Sequence, residues 1–172
     1  SQLSNAMDAY GSTVYRLALT RMQNIADAED VYQEVFLRLW KQAAEDWDGD
    51  RAKAWLIRTT LNRCADLHRF RLRRPVLSFA EIPDLAQPED ESRELWEAVS
   101  RLPEKARTAV HLYYAEGYST EEISHLMHIP AATVRTRLHR ARKQLKELLG
   151  GIDDETCVSR SDGTNFGPQR AE

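Results

Sequence analysis

The sequence has few cysteines, few glycines and no long apolar run. Its 172 residues include two cysteines, Cys64 and Cys157. The first falls inside a helical pattern and the second in a polar tail. That usage speaks against a structural disulfide and suits a reducing compartment. Cys64 and His68 lie four apart, as two ligands on one helix face could, but no second pair completes a four-ligand zinc set. They read as a small core residue and a surface histidine, and no metal or other cofactor is expected. No stretch approaches the ~20 apolar residues of a membrane span, and no charged-then-apolar leader opens the chain. The expectation is a cytoplasmic protein without membrane insertion. Strand-like alternation of useful length is also missing. The opening SQLSNA, ahead of Met7, reads as a cloning remnant and is set aside from the fold.

The most telling scarcity is local. Pro130 to Lys146, PAATVRTRLHRARKQLK, holds six arginines and lysines and no carboxylate, although the whole chain has a formal net charge of -3. Charge is segregated throughout. Residues 1–50 carry 4 basic and 9 acidic side chains, and residues 51–74 carry 8 and 1. Residues 75–104 carry 2 and 8, residues 105–150 carry 8 and 4, and the tail 151–172 is net -3. Two basic blocks therefore flank an acidic one, a first pointer to function.

What is present in quantity is amphipathic helix. AYGSTVYRLALTRM places Tyr10, Val14, Leu17 and Leu19 near a 3.6-residue period. ADAEDVYQEVFLRLWKQ follows, with Asp27 as the expected N-cap and carboxylates in the first turn, where the helix dipole favours them. Val31, Val35 and Leu39 recur every four residues, with Tyr32, Phe36 and Trp40 beside them, giving a wide apolar stripe. The loop EDWDGD interrupts the pattern, and RAKAWLIRTTLNRCADLHRFRLRR makes a third helix up to Pro75. PVLSFAEIPDLAQPED, with three prolines and no period, reads as a linker. ESRELWEAVSRL restarts the helical pattern. Pro103 suits the first turn of EKARTAVHLYYAEG, which Gly117 closes. The expected fold is all-α: two small helical domains joined by a flexible linker, the second containing a helix-turn-helix. The expected boundaries are 8–74, an acidic linker 75–92, 93–150, and a disordered polar tail 151–172.

The second module carries the clearest local signals. Ser119-x-x-Glu122 is a capping box that starts a helix. Ile123, Leu126 and Met127 give that helix an inner face. The turn falls at His128-Ile129, where a backbone of positive φ would ordinarily favour glycine; histidine tolerates it at modest cost. Pro130 suits the start of the next helix. There Val134, Leu138, Ala141, Leu145 and Leu148 form one stripe. Arg135, Thr136, His139, Arg140 and Lys143 share the opposite side, with Arg137 and Arg142 at its flanks. Such a helix fits the major groove of B-DNA, its N-terminal residues reaching base edges while flanking cations neutralise phosphates.

In the first module, eight basic residues are interleaved with Trp55, His68 and Phe70, a mixture suited to single-stranded nucleic acid. Trp55, spaced with Ile57, Leu61 and Cys64, is equally readable as core. DAEDVYQEVFLRLW followed by AWLIRTTLNRCADLHRFRLRR resembles region 2 of bacterial sigma factors of the sigma-70 family. LPEKARTAVHLYYAEGYSTEEISHLMHIPAATVRTRLHRARKQL resembles region 4 of that family, in the same order. The spacing of about twenty residues leaves no room for a folded region 3, a layout similar to the extracytoplasmic-function (ECF) group. The resemblance spans roughly residues 9–149.

It implies a transcription initiation factor with no chemistry of its own. Asp30, Gln33 and Glu34 would dock on the β′ clamp helices of core RNA polymerase, and the second module would meet the β flap. Trp47, Gly49, Asp50 and Asn62, with Arg58, Arg63 and Arg69 near the strand, would capture an extruded base of the promoter -10 element. Arg135, Thr136, Arg137, His139, Arg140, Arg142 and Lys143 would face the -35 duplex. The acidic linker (Glu81, Asp84, Glu89, Asp90) would thread a basic polymerase channel, and an anti-sigma factor would hold the free protein. His128 and Ala132 stand where the family often has glycine, and Ser124 where it often has alanine. A stand-alone helix-turn-helix regulator is the alternative, and it lacks a ligand pocket in the first module. A nucleic-acid enzyme is disfavoured, because Asp46, Asp48 and Asp50 cluster with no partner histidine or glutamate in pattern.

Overall fold

The computed structural model describes residues 2–42, 49–73 and 90–150. Trp47, the linker acids Glu81, Asp84 and Glu89, Cys157 and the tail from 151 lie outside them. Every described element is helical: α1 (Gln2–Met22), α2 (Ile25–Lys41), α3 (Gly49–Arg73), α4 (Asp90–Ser100), α5 (Glu104–Val110) continuing as a π-helical turn (His111–Ala115), α6 (Thr120–Met127) and α7 (Ala131–Leu148). The chain divides into two compact units, on either side of residue 84.

In the first unit α1, α2 and α3 each pack on the other two. The core gathers Val14, Ala18, Leu19, Met22, Ala28, Val31, Val35, Phe36, Leu56 and Cys64. Leu17 and Ile57 are also fully buried, and each such side chain stabilises the unit by ~1.5–3 kcal/mol. The predicted stripe of α2 buries Val31, Val35 and Phe36, with Tyr32 and Leu39 packed beside them; Trp40 is left exposed. Trp55 is partly buried against the same core.

Three expectations are corrected here. The residues ahead of Met7 are helical from Gln2, and Leu3 packs on the core. The N-cap of α2 is Asn24, not Asp27: Asn24 Oδ1 accepts from the backbone N–H of Asp27 at 3.0 Å. Asp27 is instead buried and bonded to Arg71 of α3, a partner 44 residues away. Finally, Gly49 and Asp50 belong to the first turn of α3 rather than to a loop. An acid there is favoured by the helix dipole.

In the second unit α4, α5 and α6 pack against α7. Its core holds Val99, Leu102, Val110, Leu112, Ile123, Leu126, Val134 and Leu138. α4 starts at Asp90, inside the segment read as linker. The helix that follows Pro103 widens into the π-helical turn and ends at Gly117, whose φ is 74°.

Candidate nucleic-acid interface

The interface of the second unit begins with helix ends. Ser119 Oγ accepts from the Glu122 backbone N–H at 3.1 Å, and the Ser119 N–H donates to Glu122 Oε2 at 2.9 Å, so both halves of the capping box are made. His128 is left-handed, with φ 54° and ψ 46°. The Ile129 N–H donates to Ser124 O at 3.1 Å, and the Ser124 hydroxyl donates back to Ile129 O at 2.5 Å. Ser124 thus pins a turn that lacks its usual glycine.

α7 then presents two unlike faces. Val134, Leu138 and Ala141 are buried; Leu145 is half-buried and Leu148 emerges into solvent, so the stripe loosens in the last turns. Arg135, Thr136, His139, Arg140 and Lys143 are exposed together, and Arg137 and Arg142 are half-buried at the flanks. Arg135 faces Glu121 of α6 at 3.8 Å, with both side chains more than half exposed. The Glu121 carboxyl is held below the usual range, first by its own backbone N–H, then by the Thr120 hydroxyl and more weakly by Arg135. Thr136 donates to Ala132 O at 3.0 Å. Arg142 is tied down: its Nε donates to Tyr114 Oη at 2.8 Å. Sequence reasoning did not single out Tyr114, because its partner lies 28 residues away.

In the first unit, Arg58 and Asn62 share an exposed face of α3 one turn apart. Arg63 is half-buried, and its Nε is buried without an acceptor among the described residues. Arg69 pairs with Asp66 at 2.5 Å. Arg63, Asp66, Leu67, Arg69 and Phe70 line a shallow pocket of about 420 Å³, with the Phe70 ring 55% exposed. Gly49 and Asp50 are exposed at the start of α3, and Gly49 O accepts from Tyr10 Oη at 2.9 Å. A Cβ at Gly49 would lie 2.7 Å from Tyr10 Oη, so a larger residue here requires that hydroxyl to shift.

The third group lies on α2. Asp30 and Gln33 are exposed, and Glu34 is half-buried and bonded to Arg38 at 3.2 Å. Gln33 also lines an open cleft of about 440 Å³ between α1 and α2, beside Gly11, Tyr15 and Tyr32. Below this surface Asp27 has its carboxyl raised from the ordinary value, because burial outweighs the opposing pull of Arg71. Among the described residues no group of three or more His, Cys, Asp or Glu could hold a metal, and no helix is long and apolar enough to cross a membrane.

Known proteins sharpen this geometry. The family model of sigma-70 region 2 matches residues 6–74, and that of sigma-70 region 4 matches residues 92–145. The ECF RNA polymerase sigma factor SigE of Mycolicibacterium smegmatis is 34% identical over 161 residues, covering 87% of this chain and 62% of that protein. SigM of Bacillus subtilis, also an ECF RNA polymerase sigma factor, is 32% identical over 155 residues, covering 85% of this chain and 94% of its own. The fold is shared with the sigma factor RpoE of Bartonella quintana, solved with the anti-sigma factor NepR, at a TM-score of 0.69. That likeness covers 86% of this chain and 96% of the other at 23% identity. With both regions matched in order on helices that present these faces, the chain belongs to the ECF group of the sigma-70 family, the RNA polymerase sigma factors of promoter recognition and transcription initiation.

Proposed function

We propose that this chain brings core RNA polymerase to its promoters by reading a -35 duplex with α7 and a -10 single strand with α3. The observation that carries this reading is the two-faced α7: a buried Val134, Leu138 and Ala141 seam behind exposed Arg135, Thr136, His139 and Arg140. A helix anchored in this way can lie in a major groove, where arginine matches the paired acceptors of guanine. Arg137, Lys143 and Arg142 then serve as phosphate contacts.

On α3, Asn62 offers a donor and an acceptor to the edge of an extruded base, while Gly49 and Asp50, about 20 Å away at the start of the same helix, and Trp47 just ahead of them are further contacts with the -10 strand. Arg58, Arg63 and Arg69 track the strand, and extrusion costs a few kcal/mol that the pocket must offset. Asp30, Gln33 and Glu34 form the docking face for the β′ clamp helices, and the second unit meets the β flap. Residues 8–74 and 93–150 act as the two reading domains, with 75–92 as the acidic connection between them. An anti-sigma factor that masks these faces is the expected cytoplasmic partner; the bacterial relative solved with NepR supports this.

The test is to incubate the purified chain with core polymerase and follow with run-off transcription on a fragmented genomic library. Stable holoenzyme and a few discrete start sites are expected. Specific duplex binding by the chain alone, with no polymerase association, would overturn the reading. Asp30→Ala and Glu34→Lys should impair co-purification with core polymerase while leaving helical content unchanged.

A further inference from the structure

Arg142 lies seven residues beyond Arg135 on α7, about two turns or ~10 Å along the axis, with His139 on the same row. In a groove-bound helix read from its N-terminal end, a residue that far along faces the sugar–phosphate backbone rather than base edges. A long arginine at such a place loses several rotatable bonds on contact, which costs affinity unless the free protein already holds it.

Here it is held. Its Nε donates to Tyr114 Oη at 2.8 Å, and its guanidinium carbon lies 6.0 Å from the ring centroids of both Tyr113 and Tyr114. Those two rings meet edge to face, 4.9 Å apart. Both tyrosines sit on the π-helical turn His111–Ala115. An ordinary α-helix turns ~100° per residue, so a wider turn changes where side chains point relative to a neighbouring helix. Tyr114 is 43% exposed, so core packing alone does not account for its place. With Nε engaged, four of the five guanidinium N–H donors remain on the two terminal nitrogens.

We infer that Tyr114 is a positioning residue of the -35 interface: its hydroxyl and ring fix the Arg142 guanidinium so that the terminal nitrogens meet one backbone phosphate. The inference rests on α7 reading a duplex, and it adds a residue that never touches DNA itself.

The experiment uses holoenzyme reconstituted from the full chain and core polymerase, on a promoter mapped by run-off transcription, with affinity measured over a range of salt. Arg142→Ala should weaken binding and lower the salt slope by ~0.9, the release expected for one phosphate contact. Tyr114→Phe should weaken binding about 3- to 10-fold, equally on all -35 sequences, with the slope unchanged. In the Arg142→Ala background the same tyrosine change should have no further effect, and thermal unfolding of Tyr114→Phe should match the parent. Equal weakening in both backgrounds, wild-type affinity for Tyr114→Phe, or a fall in affinity that merely follows a fall in thermal midpoint would each overturn the inference. Failure of the wild-type chain to form promoter-binding holoenzyme would instead overturn the function on which it rests.

Discussion

The two units meet the same packing problem with helices of different length. The first uses helices of 21, 17 and 25 residues, and the second uses helices of 11, 7, 8 and 18. Isolated helices below ~12–15 residues are marginal in water. Three long helices can rely on a broad apolar stripe, and Arg58 and Asn62 ride on the body of α3, well away from its ends. The short α6 depends on its termini: a complete capping box at one end and a left-handed His128 bonded around by Ser124 at the other. Recognition residues of α7 start five positions after Pro130, so they are only as well placed as that turn. One unit is set by its middle, the other by its ends.

Core truncation should produce the largest effects. Leu56→Ala and Leu138→Ala remove fully buried side chains and should each cost ~2–5 kcal/mol. Urea unfolding followed by circular dichroism should show each change moving the transition of its own unit; a common shift of one transition would break the comparison. Next in size is base reading. Arg135→Ala should cost ~1–3 kcal/mol at particular -35 base pairs, seen by competition among singly substituted duplexes. Asn62→Ala should leave duplex affinity intact and slow promoter opening, followed by permanganate reactivity of the -10 strand.

The caps give a sharper contrast at smaller size. Asn24→Ala and Ser119→Ala each remove a made cap, worth ~1 kcal/mol. The loss at Ser119 should also weaken -35 binding, whereas the loss at Asn24 should lower stability alone and leave holoenzyme assembly normal. Equal functional damage from both would remove the distinction between the units. The smallest effect is the pH response of Asp27, whose carboxyl is raised above 3.8, mainly by burial. A raised acid contributes stability that is complete below the ordinary value and lost as pH rises through the folded value. Measured by urea midpoints from about pH 4 to about pH 7, the wild type should therefore lose ground to Asp27→Asn as pH increases.

The legible parts of the molecule were those fixed by neighbours in sequence. The stripe of α2, the capping box at Ser119 and the left-handed turn at His128 are each determined within a few residues, and each is present. Misreadings fell where a distant residue decides. Asp27 looked like a cap because it is an acid at a helix start, but Arg71 draws it into the interior and Asn24 takes the end. Gly49 and Asp50 looked like loop residues because glycine follows a run of acids; contact with Tyr10 accompanies their helical start. Tyr114 gave no signal, since a tyrosine beside another tyrosine reads as ordinary packing. Of the interface, the charged face of α7 was readable as a pattern, while the tether on Arg142 was not.

The bond from Tyr10 to Gly49 has a bearing on how such proteins could be recombined. The segment ahead of α3 is the natural piece to exchange between relatives when a new -10 preference is wanted. With the Tyr10 hydroxyl 2.9 Å from the Gly49 carbonyl and 2.7 Å from where a Cβ at that position would sit, the seam of any such graft is keyed to a residue 39 positions upstream. Donor segments that bring a larger residue to position 49 would push the Tyr10 hydroxyl aside and break its bond to the residue 49 carbonyl. A workable chimaera therefore exchanges residues up to position 48 and keeps Tyr10 and Gly49 from the same parent.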